Sequence, residues 1–193
     1  MIYTSHLLDT LVNAFWILFG VSELALLIMK RSKRKEVKVR KDKNSMLMLW
    51  IVILAASFTA GYVARIFPIE GSTFLMKISG MGIMLLGFIV RWIAIIQLGS
   101  AFTVDVSVGK EHKMKVDGLY SNIRHPSYLG LLITFTGMSM LFGSYISIPI
   151  IIVPVFIGLA YRMYIEEQLL LEIFDEKYEY YMSHTARIIP FIY

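Results

Sequence analysis

Long apolar stretches recur along the chain and are separated by shorter polar segments. A helix of about 20 apolar residues crosses the roughly 30 Å hydrocarbon layer of a bilayer. We therefore predict an all-α, polytopic integral membrane protein with about five transmembrane helices and one C-terminal interfacial helix, built as a single membrane domain over residues 1–193. The spans are predicted at residues 8–29, 45–67, 74–98, 126–142 and 146–164, and the interfacial helix at 165–181.

The distribution of charge predicts the orientation of these spans. Basic residues crowd the segment 30–43, and basic loops beside a span stay in the cytoplasm. Counting spans from this loop puts the N-terminus outside, and it puts both the polar segment 99–125 and the C-terminus in the cytoplasm. We expect the loop 30–43 to contact anionic lipids. Because the net charge of +5 lies largely in this loop, nucleic acid is not an expected partner.

Composition agrees with the membrane assignment and limits the chemistry. The chain is 57% hydrophobic and 17% charged, whereas soluble domains have roughly 45–50% and 25%. The absence of cysteine excludes disulfides, thiolate nucleophiles and thiolate metal ligands. His112 and His125 lack a third ligand at a spacing typical of metal sites, so we predict no metal.

The first candidate for chemistry is the polar and aromatic run at the start of the fourth span. Proline at position 126 suits the first turn of a helix, and the N–H groups at such an end attract anions, including the carboxylate of an amino-acid-like ligand. The same run also fits an ordinary membrane-entry cap, with Tyr120 and Tyr128 in the aromatic belt and Arg124 on lipid phosphate. The pattern alone leaves both interpretations open.

The second candidate lies where the fifth span leaves the membrane. Arg162 and Glu166 are four residues apart, so they fit a simple ion pair on one helical face. Glu167 points elsewhere on the helix, and we expect it to be available for a ligand ammonium group. Charges at this depth usually face a partner or a wet cavity.

Two further charges, Glu23 and Arg91, fall within the first and third predicted spans. Charged residues inside a membrane span mark functional sites by default. The predicted topology, however, puts both residues near the cytoplasmic interface, where snorkelling or a mutual ion pair explains them equally well. We therefore leave them out of the candidate site.

Together, the two candidate runs resemble the isoprenylcysteine carboxyl methyltransferase family and the broader group of membrane phospholipid methyltransferases. The likeness covers about residues 88–193, and its most specific parts are Arg124-His125-Pro126-Ser127-Tyr128-Leu129-Gly130 and Glu166-Glu167-Gln168-Leu169-Leu170. Arg162, Tyr178 and Tyr181 also match. The resemblance implies S-adenosylmethionine as the cofactor and S-adenosylhomocysteine as its product. It implies cofactor contacts from His112, Lys113, Met114, Lys115, Val116, Leu119, Tyr120, His125, Pro126, Ser127, Tyr128, Glu166 and Glu167.

The resemblance also implies a substrate and a reaction. Arg162 matches a family arginine that is associated with the substrate carboxylate, so we expect methylation of an isoprenylcysteine-like lipid that enters from the bilayer. Eukaryotic members carry extra N-terminal spans, and this chain looks like a compact prokaryotic relative. A phospholipid or amine N-methyltransferase stays open as an alternative, and so does an NADPH-dependent membrane reductase, because His-Pro-x-Tyr also occurs in membrane steroid reductases. The sequence does not predict the oligomeric state.

Overall fold

The structure, a computed structural model, describes residues 2–29, 37–40, 45–69, 73–99, 107–109 and 114–189. The long elements are helices, and a 3-10 helix, Gly118–Ser121, precedes the fourth of them. The helices are α1 (Ile2–Met29), α2 (Ser45–Ile66), α3 (Thr73–Leu98), α4 (Pro126–Leu141), α5 (Ser147–Phe174) and α6 (Glu176–His184). Two short strands, β1 (Val37–Arg40) and β2 (Ser107–Gly109), pair in an antiparallel sheet.

Three helices in the described ranges are long and apolar enough to cross a membrane, namely α2, α3 and α5. Their apolar windows have mean hydropathies of 2.0, 2.0 and 1.9. The apolar part of α1, Thr10–Leu26, and the whole of α4 are shorter. The predicted class, a helical polytopic membrane protein, is confirmed. The β1–β2 sheet was not predicted, because strands this short carry too few alternating positions to be distinguished from a loop.

The fifth helix is longer than predicted, and this corrects the expected boundary at residue 164. Instead of ending there, α5 continues as one helix to Phe174, and α6 begins only after Asp175. Residues 165–174 contain no glycine or proline, and their leucine, glutamate and glutamine favour helix. The chain turns at Asp175, whose φ of 49° lies in the left-handed region.

Helices α3 and α4 pack with their backbones in close contact. A Cβ atom on Gly137 would meet the backbone of α3 at the Gly80 carbonyl oxygen and the Met84 amide nitrogen, and it would lie 2.8 Å from the Met84 Cα. A Cβ on Gly130 would lie 2.7 Å from the Arg91 Cα. Small residues let membrane helices approach in this way. The Gly130 contact fixes the start of α4 against the C-terminal half of α3.

Helices α2 and α5 pack through a second row of small residues. Ala56, Ala60 and Ala64 are all buried along α2. The Ser147 hydroxyl at the start of α5 donates a hydrogen bond of 3.1 Å to the Ala60 carbonyl. These residues are four apart, so they line one face of α2 and let α5 approach it closely.

A buried ion pair joins α1 to α3. The Arg91 guanidinium donates two hydrogen bonds to the Glu23 carboxylate, at 2.6 and 2.8 Å. Both side chains are nearly inaccessible, at 4% and 5% exposure. Of the two explanations that the sequence left open for these charges, the structure shows the mutual ion pair. Arg91 also lies 3.5 Å from the Ser127 carbonyl oxygen, so the pair reaches the start of α4.

The glycine contact predicts a large difference between two alanine substitutions. Gly137→Ala forces a methyl group into the α3 backbone and should destabilise the protein by about 1–3 kcal/mol or more. Gly82→Ala is the matched control, because no atom of the described residues lies within 4 Å of its Cβ position. We expect thermal unfolding in detergent to shift downward for Gly137→Ala alone. Equal unfolding temperatures for the two variants would contradict the close packing of α3 and α4.

Candidate functional site

The start of α4 lies against the C-terminal segment that follows α6. A parallel bridge joins Ile123 to Ala186. The Arg124 and His125 amides donate to the carbonyls of Ala186 and Arg187, at 2.8 and 3.0 Å. Residues 123–125 are thus held against residues 186–187, and the His125 side chain is almost fully buried.

The first turn of α4 has fewer free backbone N–H groups than the sequence predicts. Pro126 is the first helical residue, as predicted, and it has no N–H group. The amides of Tyr128 and Leu129 both donate to the His125 carbonyl at 3.1 Å. The capacity of this site to bind a ligand therefore lies mainly in the side chains around the helix start.

Glu167 is the centre of a buried charge cluster, which we call the Glu167 cluster (Arg124, His125, Glu167 and Arg187). Its Oε1 accepts from Arg124 Nε at 2.8 Å and lies 3.3 Å from His125 Nε2. Its Oε2 accepts from Arg187 Nε at 2.8 Å and lies 2.6 Å from Arg187 Nη2. A carboxylate has about four acceptor positions, so these contacts fill it.

The Glu167 cluster also anchors α6. Arg124 Nη1 donates to the Met182 carbonyl at 3.0 Å, to the Thr185 carbonyl, and to the Thr185 hydroxyl at 3.3 Å. One guanidinium therefore connects the start of α4, the C-terminal part of α5 and the end of α6. Sequence reasoning considered Arg124 only for lipid phosphate, and it did not single out Arg187. The available signal was weak, since Arg187 is a lone cation in an apolar segment.

Glu166 has a different environment from its neighbour. Its Oε2 accepts a hydrogen bond of 2.9 Å from the Tyr128 hydroxyl and lies 3.9 Å from His125 Nδ1. Its side chain remains 34% exposed, against 2% for Glu167. We had expected Glu167 to meet a ligand ammonium group. The geometry favours Glu166, because Glu167 is enclosed by protein cations.

Arg162 lies one helical turn before Glu166 and is buried. Its Nη1 donates to the Ser45 hydroxyl at 2.7 Å, and its Cζ lies 6.0 Å from the centre of the Tyr128 ring. A guanidinium at this distance from an aromatic face is stabilised by a cation–π interaction. The Tyr128 ring also stacks on His125, with centroids 5.5 Å apart. We call Ser45, Tyr128, Arg162 and Glu166 the Arg162 cluster.

The 3-10 helix before α4 is fixed to α3. The Leu119 amide donates to Gln97 Oε1 at 2.8 Å, and the Tyr120 hydroxyl donates to the Ala94 carbonyl at 3.2 Å. Gly118 has a φ of 63°, and a Cβ there would lie 2.5 Å from Gln97 Oε1, so glycine is required. Burial raises the pKa of Tyr120, which keeps its hydroxyl protonated. The sequence alone did not indicate this role of Gln97.

The remaining predicted contacts lie further along this segment. Lys115 Nζ lies 2.8 Å from an Asp117 oxygen, and this hydrogen bond lowers the pKa of Asp117. Val116 is exposed and Met114 is half-buried. Their contacts with a cofactor stay predictions. His112 and Lys113 lie outside the described residues.

The region that contains this site is similar to known proteins. Residues 80–172 match the model of the isoprenylcysteine carboxyl methyltransferase (ICMT) family. The chain is 31% identical over 182 residues to protein-S-isoprenylcysteine O-methyltransferase B of Arabidopsis thaliana, a match covering 91% of this chain and 89% of that protein. It is 33% identical over 116 residues to the protein-S-isoprenylcysteine O-methyltransferase of Schizosaccharomyces pombe, covering 59% of this chain and 49% of that protein.

A solved structure is similar as well. The structure of the eukaryotic intramembrane Ras methyltransferase ICMT without a monobody superposes with a TM-score of 0.63 at 28% identity. The match covers 74% of this chain and 52% of that one. The chain thus spans about half the length of the yeast relative and of the solved protein, and most of the length of the plant relative.

Removing the charge of Glu167 should lower the stability of the protein far more than removing the charge of Glu166. Glu167→Gln leaves two arginines and a histidine without their common anion, and it should destabilise the protein by about 3 kcal/mol. Glu166→Gln keeps an oxygen that accepts from Tyr128, and it should change stability by less than about 1 kcal/mol. Thermal unfolding of both variants in detergent tests this difference. A larger loss for Glu166→Gln would contradict the roles given to the two carboxylates.

Proposed function

Because the chain belongs to the isoprenylcysteine carboxyl methyltransferase family, we propose that it transfers a methyl group from S-adenosylmethionine to the carboxylate of an isoprenylcysteine-like lipid. The observation that carries the proposal is the Arg162 cluster, which sets a buried guanidinium beside an accessible carboxylate. The guanidinium suits a substrate carboxylate, and Glu166 suits the ammonium group of an amino-acid-like methyl donor. One site therefore offers a binding group for each of the two reactants.

The residues of the site fit S-adenosylmethionine in charge and polarity. This molecule supplies an electrophilic methyl group on a sulfonium sulfur. Glu166 is partly exposed and is oriented by the Tyr128 hydroxyl, so it is prepared to hold an ammonium group. Leu119 and Tyr120, fixed on α3, would form the adjoining wall. Family resemblance assigns the rest of the nucleoside contacts to the segment 112–116.

The chain's own residues have positioning tasks rather than acid–base tasks. The substrate carboxylate is ionised at neutral pH, because its reference pKa is roughly 4, so the reaction requires no general base. Arg162 would orient this carboxylate through two parallel N–H bonds. Ser45 and the Tyr128 ring hold the guanidinium in place, and its 4% exposure keeps water away from the contact.

We extend the proposal to membrane topology and partners. The site lies at the end of α5 that the charge pattern puts in the cytoplasm, so the lipid substrate would enter from the bilayer and the methyl donor from the cytoplasmic loops. The basic loop 30–43 would contact anionic lipids. Both relatives described above come from eukaryotes, and the prokaryotic origin stays a prediction.

The alternatives are less well supported. An amine N-methyltransferase would share the methyl donor, but a buried guanidinium beside its substrate would repel a cationic amine. For the reductase, the relatives offer no support, since both are named O-methyltransferases.

Binding and turnover on the purified, detergent-solubilised protein test the proposed function. We expect calorimetry to detect S-adenosylhomocysteine binding, and we expect methyl transfer to farnesylcysteine analogues with a free carboxylate. A lipid amine and NADPH are the comparison ligands. Methylation of the amine alone would favour the phospholipid alternative, and binding of NADPH without S-adenosylhomocysteine would favour the reductase.

The role of Arg162 is tested by Arg162→Lys. Lysine keeps the charge but loses the planar fork, so methylation of farnesylcysteine should slow roughly 10-fold or more, about 1.4 kcal/mol of transition-state stabilisation. Affinity for S-adenosylhomocysteine should barely change. The matched control is Arg65→Lys, at an exposed arginine in the last turn of α2. Equal turnover in wild type and Arg162→Lys would remove Arg162 from the mechanism.

A further inference from the structure

The hydroxyl of Tyr178, in α6, is buried. The residue is only 1% exposed, and among the residues that the structure describes nothing forms a hydrogen bond with its hydroxyl. Native proteins rarely leave a buried hydroxyl unpaired, because its lost hydration is not replaced. When one occurs, a ligand, ion or water usually completes it.

The position of Tyr178 is rigidly determined. Tyr178 and Tyr181 lie three residues apart on one face of α6, with ring centroids 5.8 Å apart. The Tyr181 hydroxyl donates a hydrogen bond of 2.5 Å to the Tyr120 carbonyl, which fixes this face against the 3-10 helix. Burial raises the pKa of Tyr181 to about 12, so this donor stays protonated. Tyr178 is therefore held beside the proposed wall of the cofactor site.

The charges around the Tyr178 hydroxyl come from the same site. Its pKa is raised first by burial, then by the carboxylates of Glu167 and Glu166, and Arg124 opposes this shift. The hydroxyl therefore stays protonated and is available as a donor. Glu167 already accepts from two arginines and contacts His125, so it has no acceptor position left for Tyr178.

We propose that the Tyr178 hydroxyl donates a hydrogen bond to the carboxylate of the amino-acid portion of S-adenosylmethionine, whose ammonium group Glu166 holds. The inference rests on the proposed function and adds a cofactor-binding residue to it. The carboxylate and ammonium groups of an amino acid share one carbon atom, so both are bound in the same part of the site. Tyr178 packs on Tyr181, which is bonded to the Tyr120 carbonyl of the proposed wall, so its unpartnered hydroxyl lies beside that part. The guanidinium of Arg124 makes the surroundings tolerant of that negative charge.

The substitution Tyr178→Phe tests the inference, because it removes the hydroxyl and keeps the buried ring. Without ligand, the variant should unfold at the same temperature as wild type or slightly higher, since no internal hydrogen bond is lost. Its affinity for S-adenosylhomocysteine should fall about 10-fold, as expected for a hydrogen bond to a charged group. Its affinity for 5′-methylthioadenosine, which lacks the amino-acid portion, should not change.

Tyr181→Phe is the matched control, because that hydroxyl is already bonded within the protein. It should lower the unfolding temperature and should change S-adenosylhomocysteine affinity less than Tyr178→Phe does. The inference is overturned if Tyr178→Phe binds S-adenosylhomocysteine as wild type does, if it weakens both ligands equally, or if it unfolds earlier than wild type. If wild type itself does not bind S-adenosylhomocysteine, the proposed function fails, and this inference fails with it.

Discussion

The buried carboxylate of Glu167 holds together the start of α4, the C-terminal part of α5 and the segment after α6. A charge that is removed from water is tolerated only when opposite charges and hydrogen bonds replace its hydration. Here Arg124, Arg187 and His125 supply that replacement from the start of α4 and the segment after α6. The three partners depend on Glu167 in turn, because without its carboxylate their buried N–H groups and positive charges would have no common acceptor. The site on the neighbouring helical face depends on this arrangement, since His125 stacks on the tyrosine that orients Glu166.

Two adjacent glutamates thereby serve different purposes. Consecutive residues of an α-helix point about 100° apart, because the helix has 3.6 residues per turn. Glu167 consequently faces the arginines, and Glu166 faces Tyr128 and solvent. Arg162 is one turn from Glu166 and shares its side of α5, which brings the proposed binding groups for substrate and methyl donor close together. One stretch of α5 thus provides both the carboxylate that stabilises the fold, Glu167, and the two proposed binding groups, Arg162 and Glu166.

Sequence patterns predicted the parts of this architecture that depend on local properties. Hydropathy indicated the long helices, and the positions of Glu23 and Arg91 along their helices made a mutual ion pair one of two explanations for these charges. The partners of Glu167 were not predictable in the same way. Arg187 approaches because the chain reverses at Asp175, and no local pattern indicates where a reversed segment will lie. Deciding which of the two glutamates can bind a ligand ammonium group therefore required knowledge of these long-range contacts.

The small β1–β2 sheet has a mechanical consequence. Its two strands belong to different loops, one within the basic segment after α1 and the other within the segment that leads from α3 towards the 3-10 helix. Their backbone hydrogen bonds close a ring through α2 and α3. Any displacement of the basic segment must therefore move the other segment with it or break the ladder. Under the proposed contact with anionic lipids, a force on the basic segment would be transmitted towards the 3-10 helix, whose Leu119 and Tyr120 form the proposed wall of the methyl-donor site.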